Sequence, residues 1–262
     1  MQTQTEPPRL GDFLDPAGIK VAVRGFGCEE GTCVAWDTDT WTGAGDPSRV
    51  RRGVVLRGYL DGTDIGRTAI EGATDLGDPE VQTAVQSMKQ HLIAAHGHRY
   101  LAALQDEIDS LGDPQLLLAK DPVHQEAIYR RARENTAPPS LLALIAEVQA
   151  KEKTLLAVRR RYAVTLWRYI AHLYRHGLPA KDIAHWTGVS AASTERRITS
   201  VPTAGAAAIT GVEQKTWSGY VARDQAPAPD DHVGREPVWH ISTVLRHVDT
   251  RPGRPGRPPK QV

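Results

Sequence analysis

The residues with the clearest potential for chemistry are two cysteines and two histidines in the N-terminal half. Cys28 and Cys33 flank a Glu-Glu-Gly-Thr turn, and His96 and His98 follow much further along the chain. Thiolate and imidazole are ligands that zinc prefers, so these four side chains could form a zinc site. However, the four-residue gap between the cysteines is not the usual knuckle spacing. We therefore expect two ordinary thiols, with a zinc site and a redox pair as the alternatives.

Other candidate catalytic groups stand without a supporting motif. Asp37, Asp39 and Asp46 cluster near a predicted turn, and turns are rich in Asp without catalysis. His172 and His176 are four residues apart, but no third ligand is placed near them, which favours surface residues over a metal site. The chain has no nucleophile elbow, Walker loop, dinucleotide fingerprint or His-Glu-x-x-His motif. We expect no enzyme activity, no metal and no cofactor.

Length and composition favour a chain of two or three small domains. The chain has 262 residues, against a usual domain size of roughly 100–150. It contains no run of about 18 apolar residues and no charged-then-apolar start, so we expect neither a membrane span nor a signal peptide. The expected location is the cytoplasm, in association with the nucleoid.

The net charge of +1 conceals two halves of opposite sign. From Arg159 onward there are 16 Lys and Arg against 8 Asp and Glu, a net charge of +8. The preceding residues carry 16 against 23, a net charge of −7. The phosphates of DNA would attract the basic second half, because basic side chains that bind them release the counterions condensed on the DNA. The simpler interpretation is that each charge block is a solvated face.

The N-terminal half predicts an α+β fold. After a loose segment 1–16, Ile19–Arg24 alternates in polarity and Thr32–Trp36 pairs with it across a Gly-rich turn. Val54–Ala73 predicts a second hairpin around Asp61-Gly62. A helical period begins at Pro79 and is broken near His96-Gly97-His98. We assign residues 17–112 to a small mixed domain of hairpins and helices.

Residues 113–163 form a predicted helical connector. Asp113-Pro114 and Asp121-Pro122 are typical helix starts, and a loop over Thr136–Pro139 precedes a long helix that opens at Ser140. The helix carries a partly heptad-like apolar stripe. This stripe indicates either an intramolecular core, which we favour, or a homodimer through the helix 140–176. Its members are Leu141, Leu144, Ile145, Val148, Leu155, Val158, Tyr162 and Leu166.

Residues 164–200 predict a helix-turn-helix. The helix Leu166–His176 ends at Gly177, a short helix Ala180–Trp186 follows, and Gly188 supplies a left-handed turn. Ser190 is a natural N-cap for a third helix, Ala191–Ile198. The pattern resembles the bacterial helix-turn-helix family of sigma-like and plasmid-type regulators.

That resemblance implies that the third helix enters the major groove. Thr194 and Arg197 depart from the pattern, because they stand where the family usually has apolar core residues. The alternative is a plain helical hairpin. The implied DNA contacts of this unit, with its capping residue, are Ser190, Ala192, Ser193, Arg196 and Arg197.

Residues 203–249 predict the order helix, turn, helix, two-stranded wing and closing helix. Ala204–Thr210 and Glu213–Arg223 are the predicted helices, His232–Trp239 the hairpin, and Ser242 the cap of a helix Thr243–Val248. Landmarks from Gly211-Val212 to the final Gly256-Arg257-Pro258 make this region similar to the excisionase-type winged helices of the MerR superfamily. Small actinobacterial phage- and plasmid-type regulators often end in this way.

The resemblance implies DNA contacts from the second helix and from the wing. Gly219 departs from the pattern and costs about 1 kcal/mol relative to Ala inside a helix. Trp217, Tyr220 and Trp239 could stack on bases, but core packing of a small domain is the favoured interpretation. The implied contacts are Gln214, Lys215, Ser218, Arg223, His232 and Arg235.

The last residues, 250–262, form a basic tail that resembles an AT-hook. Such tails place Arg-Pro segments in a narrow minor groove. Pro-Gly-Arg-Pro occurs twice here in place of the hook core Arg-Gly-Arg-Pro, so a disordered tail of non-specific affinity is the alternative. Its cations are Arg251, Arg254, Arg257 and Lys260.

The sequence as a whole predicts a sequence-specific binder of double-stranded DNA that acts as a transcriptional or mobile-element regulator. Residues 160–262 alone are expected to bind duplex DNA. The acidic N-terminal half would sense a signal or bind a protein partner. The alternative is an enzyme or inhibitor module that the basic half delivers to DNA.

Overall fold

The protein, described here by a computed structural model, has a mixed α+β fold with an N-terminal sheet followed by helices. The described strands and helices confirm the α+β class that the sequence predicts. The structure describes residues 6–22, 24–25, 28, 31–43, 46–112, 130, 133–134 and 139–251. The predicted helix starts at Asp113 and Asp121, the loop 136–138 and the tail beyond Arg251 lie outside these residues.

The chain divides into two compact units. One comprises residues 1–7 and 100–166, and the other comprises residues 8–99 and 167–262. The domain boundaries expected from the sequence stay a prediction.

A four-stranded sheet with the order β1-β2-β3-β4 dominates the N-terminal part. Its strands are β1 (Lys20–Val21), β2 (Cys33–Gly43), β3 (Asp46–Leu60) and β4 (Thr63–Glu71). The hairpin around Asp61-Gly62 is confirmed: both residues have positive φ, which a two-residue turn of the primed type requires. The side chains of Val34 in β2 and of Val54 and Leu56 in β3 are fully buried.

Strand β1 pairs with β2 in parallel, so the antiparallel hairpin expected from Ile19–Arg24 and Thr32–Trp36 is wrong. A tight glycine turn would have made the two strands antiparallel. The antiparallel arrangement occurs at an isolated bridge between Gly25 and Trp36.

The long strand β2 also corrects the interpretation of the acidic residues. Asp37 and Asp39 lie within β2, not at a turn, and each forms an ion pair: Asp37 with Arg24 at 3.0 Å and Asp39 with Arg67 at 3.5 Å. The hydrogen bond from Arg24 lowers the pKa of Asp37. These carboxylates belong to the charged face of the sheet.

Helix α1 (Pro79–Leu111) runs without the break that the sequence predicts at His96-Gly97-His98. Gly97 serves packing instead. A Cβ at this position would lie 2.3 Å from Cε2 of Tyr169, whose ring is fully buried and whose hydroxyl donates to Ala94 O at 2.6 Å. The glycine therefore lets a tyrosine ring lie directly against the helix backbone.

Helix α2 (Pro139–Arg175) is a single helix of 37 residues. Val148, Leu155, Val158 and Leu166 of the predicted apolar stripe are buried within the chain, which confirms the intramolecular interpretation for these residues.

Five short helices and three short strands follow α2 in the described part of the chain. They are α3 (Ala180–Thr187), α4 (Ala191–Thr199), β5 (Val201–Pro202), α5 (Thr203–Thr210), α6 (Gln214–Val221), the hairpin β6 (Asp231–Val233) and β7 (Glu236–Trp239), and finally α7 (Ile241–Thr250). Strand β5, which the sequence analysis missed, pairs with β7, so a second sheet has the order β5-β7-β6. Helix α7 begins before Ser242, because the His240 side chain accepts from Ser242 N and is the actual cap.

None of the described helices has an apolar stretch of the length and hydropathy that crossing a membrane requires.

The packing of Tyr169 on Gly97 predicts that Gly97→Ala destabilises the protein. Alanine improves helix propensity by up to about 1 kcal/mol, but the buried ring cannot move aside and overpacking costs about 1–3 kcal/mol. We expect the free energy of unfolding, measured with urea, to fall by roughly 1–2 kcal/mol. Gly219→Ala in α6 is the matched control, because only the flexible Arg223 guanidinium lies near its added Cβ. Equal stabilisation by both changes would contradict this packing.

Candidate nucleic-acid interface

Helix α4 is positioned by a tight turn and a side-chain cap. Gly188 is left-handed, with φ of 68°, and the Ser190 hydroxyl accepts from Ser193 N at 3.3 Å, as the sequence predicts. Ala192 and Arg196 are exposed, whereas Thr194 is fully buried. Helix α4 therefore exposes Arg196 to solvent and packs Thr194 against the protein interior.

Arg197 lies on the inner flank of α4. Its guanidinium carbon is 4.8 Å from the centre of the Trp167 ring, and the side chain is half-buried. A guanidinium stacked on an indole is held by the ring's quadrupole and by packing. This contact explains how the helix accommodates an arginine at a position where an apolar residue is usual.

Helix α6 has one buried face and one polar face. Trp217 is fully buried, whereas Gln214, Lys215 and Ser218 are exposed. Side chains three and four residues apart share a helix face, so these polar groups form one surface. The Ser218 hydroxyl donates to Gln214 O at 3.1 Å.

Arg223 lies beside Gly219 on that surface. A Cβ at Gly219 would lie 3.4 Å from Nη1 and 3.5 Å from Nη2 of Arg223. The Arg223 guanidinium also stands 5.8 Å from the Tyr220 ring centre, and its Nε donates to Gln225 Oε1 at 3.2 Å. The Arg223 guanidinium therefore lies along the outer face of α6 next to Gly219, where an alanine Cβ would be in van der Waals contact with it.

Arg251, the first cation of the tail, is docked on α6. Its Nη2 donates to the Tyr220 hydroxyl at 3.1 Å, and its guanidinium carbon lies 5.2 Å from the Tyr220 ring centre. Tyr220 therefore contacts two arginines. Arg254, Arg257 and Lys260 lie outside the described residues.

The β6–β7 hairpin turns at Gly234, whose φ is 63°, and pairs Val233 with Glu236. His232 and Arg235 are both exposed, and Val233 beside them is 62% exposed. The hairpin therefore presents a cation, an imidazole and an aliphatic side chain.

Trp217 and Trp239 are core residues, as the favoured interpretation expects. They are 0% and 1% exposed, and their rings meet edge-on with centroids 5.6 Å apart. The Trp239 indole donates to Pro227 O at 3.0 Å. Their packing fixes α6 against the second sheet.

Arg168, a buried arginine that links distant segments, was not predicted from the sequence. Its Nε donates to Ala208 O at 2.7 Å and its Nη1 to Pro8 O at 2.8 Å. Ala208 lies near the C-terminal end of α5, where carbonyl groups attract a cation. The sequence feature that could have indicated its burial is its place inside the largely apolar run Leu166–Ile170.

The proposed zinc ligands are used in other contacts. The Cys28 and Cys33 sulfurs are joined in a disulfide, so the expectation of two ordinary thiols is wrong. The turn brings their Cα atoms within 6.5 Å, inside the range for bridging. His96 Nδ1 accepts from Leu14 N, and His98 Nδ1 lies 2.9 Å from Trp186 O. Among the described residues, no three His, Cys, Asp or Glu side chains are grouped to hold a metal ion.

His172 is buried, so its assignment as a surface residue is wrong. It is 3% exposed and stacks on Phe13 with centroids 5.0 Å apart, and the His176 ring meets it edge-on with centroids 4.6 Å apart. Burial is the main reason that the pKa of His172 falls to about 3, and the nearby His176 contributes. Burial also lowers the pKa values of His96 and His176.

No family model, curated protein or solved structure gave a significant match to this chain.

The buried His172 predicts that stability falls in acid. Its folded pKa is about 3 against the ordinary 6.5, so the unfolded state alone binds a proton as the pH falls from 6.5 towards 3. One such group lowers the free energy of unfolding by roughly 1.4 kcal/mol per pH unit in this window and by nothing above it.

His172→Phe should reduce the loss of stability between pH 7 and pH 5 by roughly 2 kcal/mol in urea unfolding. His232→Phe, on the exposed hairpin, is the control. If His172→Phe lost as much stability between pH 7 and pH 5 as the unchanged protein does, protonation of His172 would not destabilise the folded state, and the prediction would be wrong.

Proposed function

We propose that this protein binds double-stranded DNA sequence-specifically and acts as a transcriptional or mobile-element regulator. The observation that carries the proposal is the arrangement of β5, α5, α6, β6 and β7. Two short helices joined by a turn stand beside a three-stranded sheet whose hairpin projects exposed polar groups. This is the order of a winged helix, with α6 as the helix for the major groove and β6–β7 as the wing.

The polarity of α6 supports this role. Its outer face carries an amide, an ammonium, a hydroxyl and a guanidinium, from Gln214, Lys215, Ser218 and Arg223. Lysine and arginine bind phosphates and guanine edges, and glutamine reads adenine. Because Arg223 is exposed beside these residues, we assign its guanidinium to the DNA surface.

Helices α3 and α4 supply the second proposed unit, a helix-turn-helix. Arg196 is its outward arginine, whereas Arg197 is engaged with Trp167. We therefore assign base contact to Arg196 and an orienting role to Arg197. Helix α4 also contacts α7 and β5, so the two proposed DNA-binding units share one packed body.

The alternative function is an enzyme or inhibitor module delivered to DNA, and no observation among the described residues favours it. The disulfide and the ion-paired carboxylates of β2 have structural roles where they are seen.

The proposal predicts that the chain binds duplex DNA with steep salt dependence. Each phosphate neutralised by Lys or Arg releases counterions, so several contacts should lower affinity roughly a hundredfold or more between 50 and 200 mM salt. Fluorescence anisotropy with a random-sequence duplex measures this. The full chain is needed, because Arg168 and Tyr169 contact Pro8 and Ala94, which a 160–262 fragment lacks. Salt-independent binding, or none at 50 mM, would refute the proposal.

Substitutions should separate specificity from general affinity. Arg196→Ala is expected to reduce the binding free energy for the selected sequence by about 1–3 kcal/mol, since it removes a base contact. Its effect on binding to random-sequence duplex should be small, because no specific base contact exists there. Arg197→Ala should instead lower stability through its Trp167 contact. Truncation after Arg251 should weaken binding to all DNA sequences by a similar factor, because it removes three cations. It leaves the contact between Arg251 and Tyr220 intact.

These effects are read from competition binding against a site selected from a random library. If truncation abolished discrimination while Arg196→Ala preserved it, the assignment of specificity to α4 would be wrong, and the tail would be the reader.

A further inference from the structure

Helix α2 carries a second stripe, distinct from its buried one. Leu142, Gln149, Leu156 and Ala163 recur every seventh residue, and all four are exposed. Leu142 is 42% and Leu156 is 53% exposed, which places both among the large apolar side chains that the described surface leaves in water. A heptad spacing keeps these residues on one side of the helix, as in a coiled-coil seam.

A groove lies along the middle of this stripe. Its volume is about 440 Å³. It is lined by Gln149, Glu152, Lys153, Leu156, Ala157 and Arg160. The lining thus combines an exposed leucine with charges of both signs at neighbouring positions.

The stripe is symmetric about the point midway between Glu152 and Lys153. Leu142 and Ala163 are equally distant from that point, and so are Gln149 and Leu156. A two-fold interface requires that residue i contact residue j and that j contact i. An antiparallel copy of the helix, turned about this point, meets that condition along the whole stripe.

We propose that two copies of this chain associate through antiparallel α2 helices, with the two-fold axis passing between Glu152 and Lys153. Leu156 packs against the partner's Gln149, and Leu142 packs against the partner's small Ala163. Glu152 stands opposite the partner's Lys153, and the same ion pair occurs again on the other side of the axis.

The charges select this direction. A parallel, in-register pair would set Glu152 against Glu152, Lys153 against Lys153 and Arg160 against Arg160. Like charges at facing positions of a coiled coil are unfavourable, and flanking charges determine partner choice and orientation. The antiparallel arrangement replaces the two central repulsions with two attractions.

The test is sedimentation equilibrium of the full chain without DNA, so its outcome is independent of the proposed DNA binding. We expect a monomer–dimer equilibrium at micromolar concentrations. Leu156→Lys should weaken dimerisation about a hundredfold, because it replaces a leucine that the dimer buries with a cation, and this contact occurs twice per dimer. Ala150→Lys, at another exposed position of the same helix, is the matched control and should leave the equilibrium unchanged.

Charge reversal tests the direction. Glu152→Lys alone and Lys153→Glu alone should each weaken the dimer, because each sets like charges across the axis. An equimolar mixture of the two variants should recover dimers, since the mixed pair has opposite charges at both contacts. A chain that is monomeric at 100 µM, a dimer indifferent to Leu156→Lys, or single reversals without effect would each overturn the proposal.

Discussion

The buried segment Trp167–Leu173 of α2 imposes the main constraint on the larger unit. Tyr169, Ile170 and Leu173 are fully excluded from water, and a buried polar group without a partner costs free energy. The segment therefore needs acceptors from other parts of the chain. Arg168 finds them at Pro8 and Ala208, and Tyr169 finds one at Ala94. These few hydrogen bonds connect the N-terminal segment, α1 and α5 to one helix, and they set the position of the elements that we assign to DNA.

Local signals allowed much of the fold to be predicted from the sequence. The turn at Asp61-Gly62, the left-handed Gly188 and the Ser190 cap each depend on a few adjacent residues whose backbone preferences are strong. The β6–β7 hairpin and the buried tryptophans also follow from the local pattern.

The sequence predictions that failed concern features that are set by residues distant in the sequence. The sequence around Gly97 is typical of a helix break, but the glycine lies inside α1 because the Tyr169 ring packs where a Cβ would be. Arg168, the parallel pairing of β1 and the burial of His172 likewise depend on partners remote in sequence. For the candidate site, Arg196 and the polar residues of α6 are exposed, and their contacts with DNA stay a prediction. The docking of Arg197 on Trp167 and the position of Arg223 beside Gly219 did not follow from residue types.

Hydrogen exchange of the full chain, with and without random-sequence duplex DNA at low salt, tests the central claim most directly. The account predicts slower exchange in α4, in α6 (Gln214–Val221) and in the β6–β7 hairpin when DNA is bound. It predicts unchanged exchange in the four-stranded sheet, whose exposed face pairs its own charges. Protection confined to β2, β3 and β4, with none in α6 or the hairpin, would contradict it.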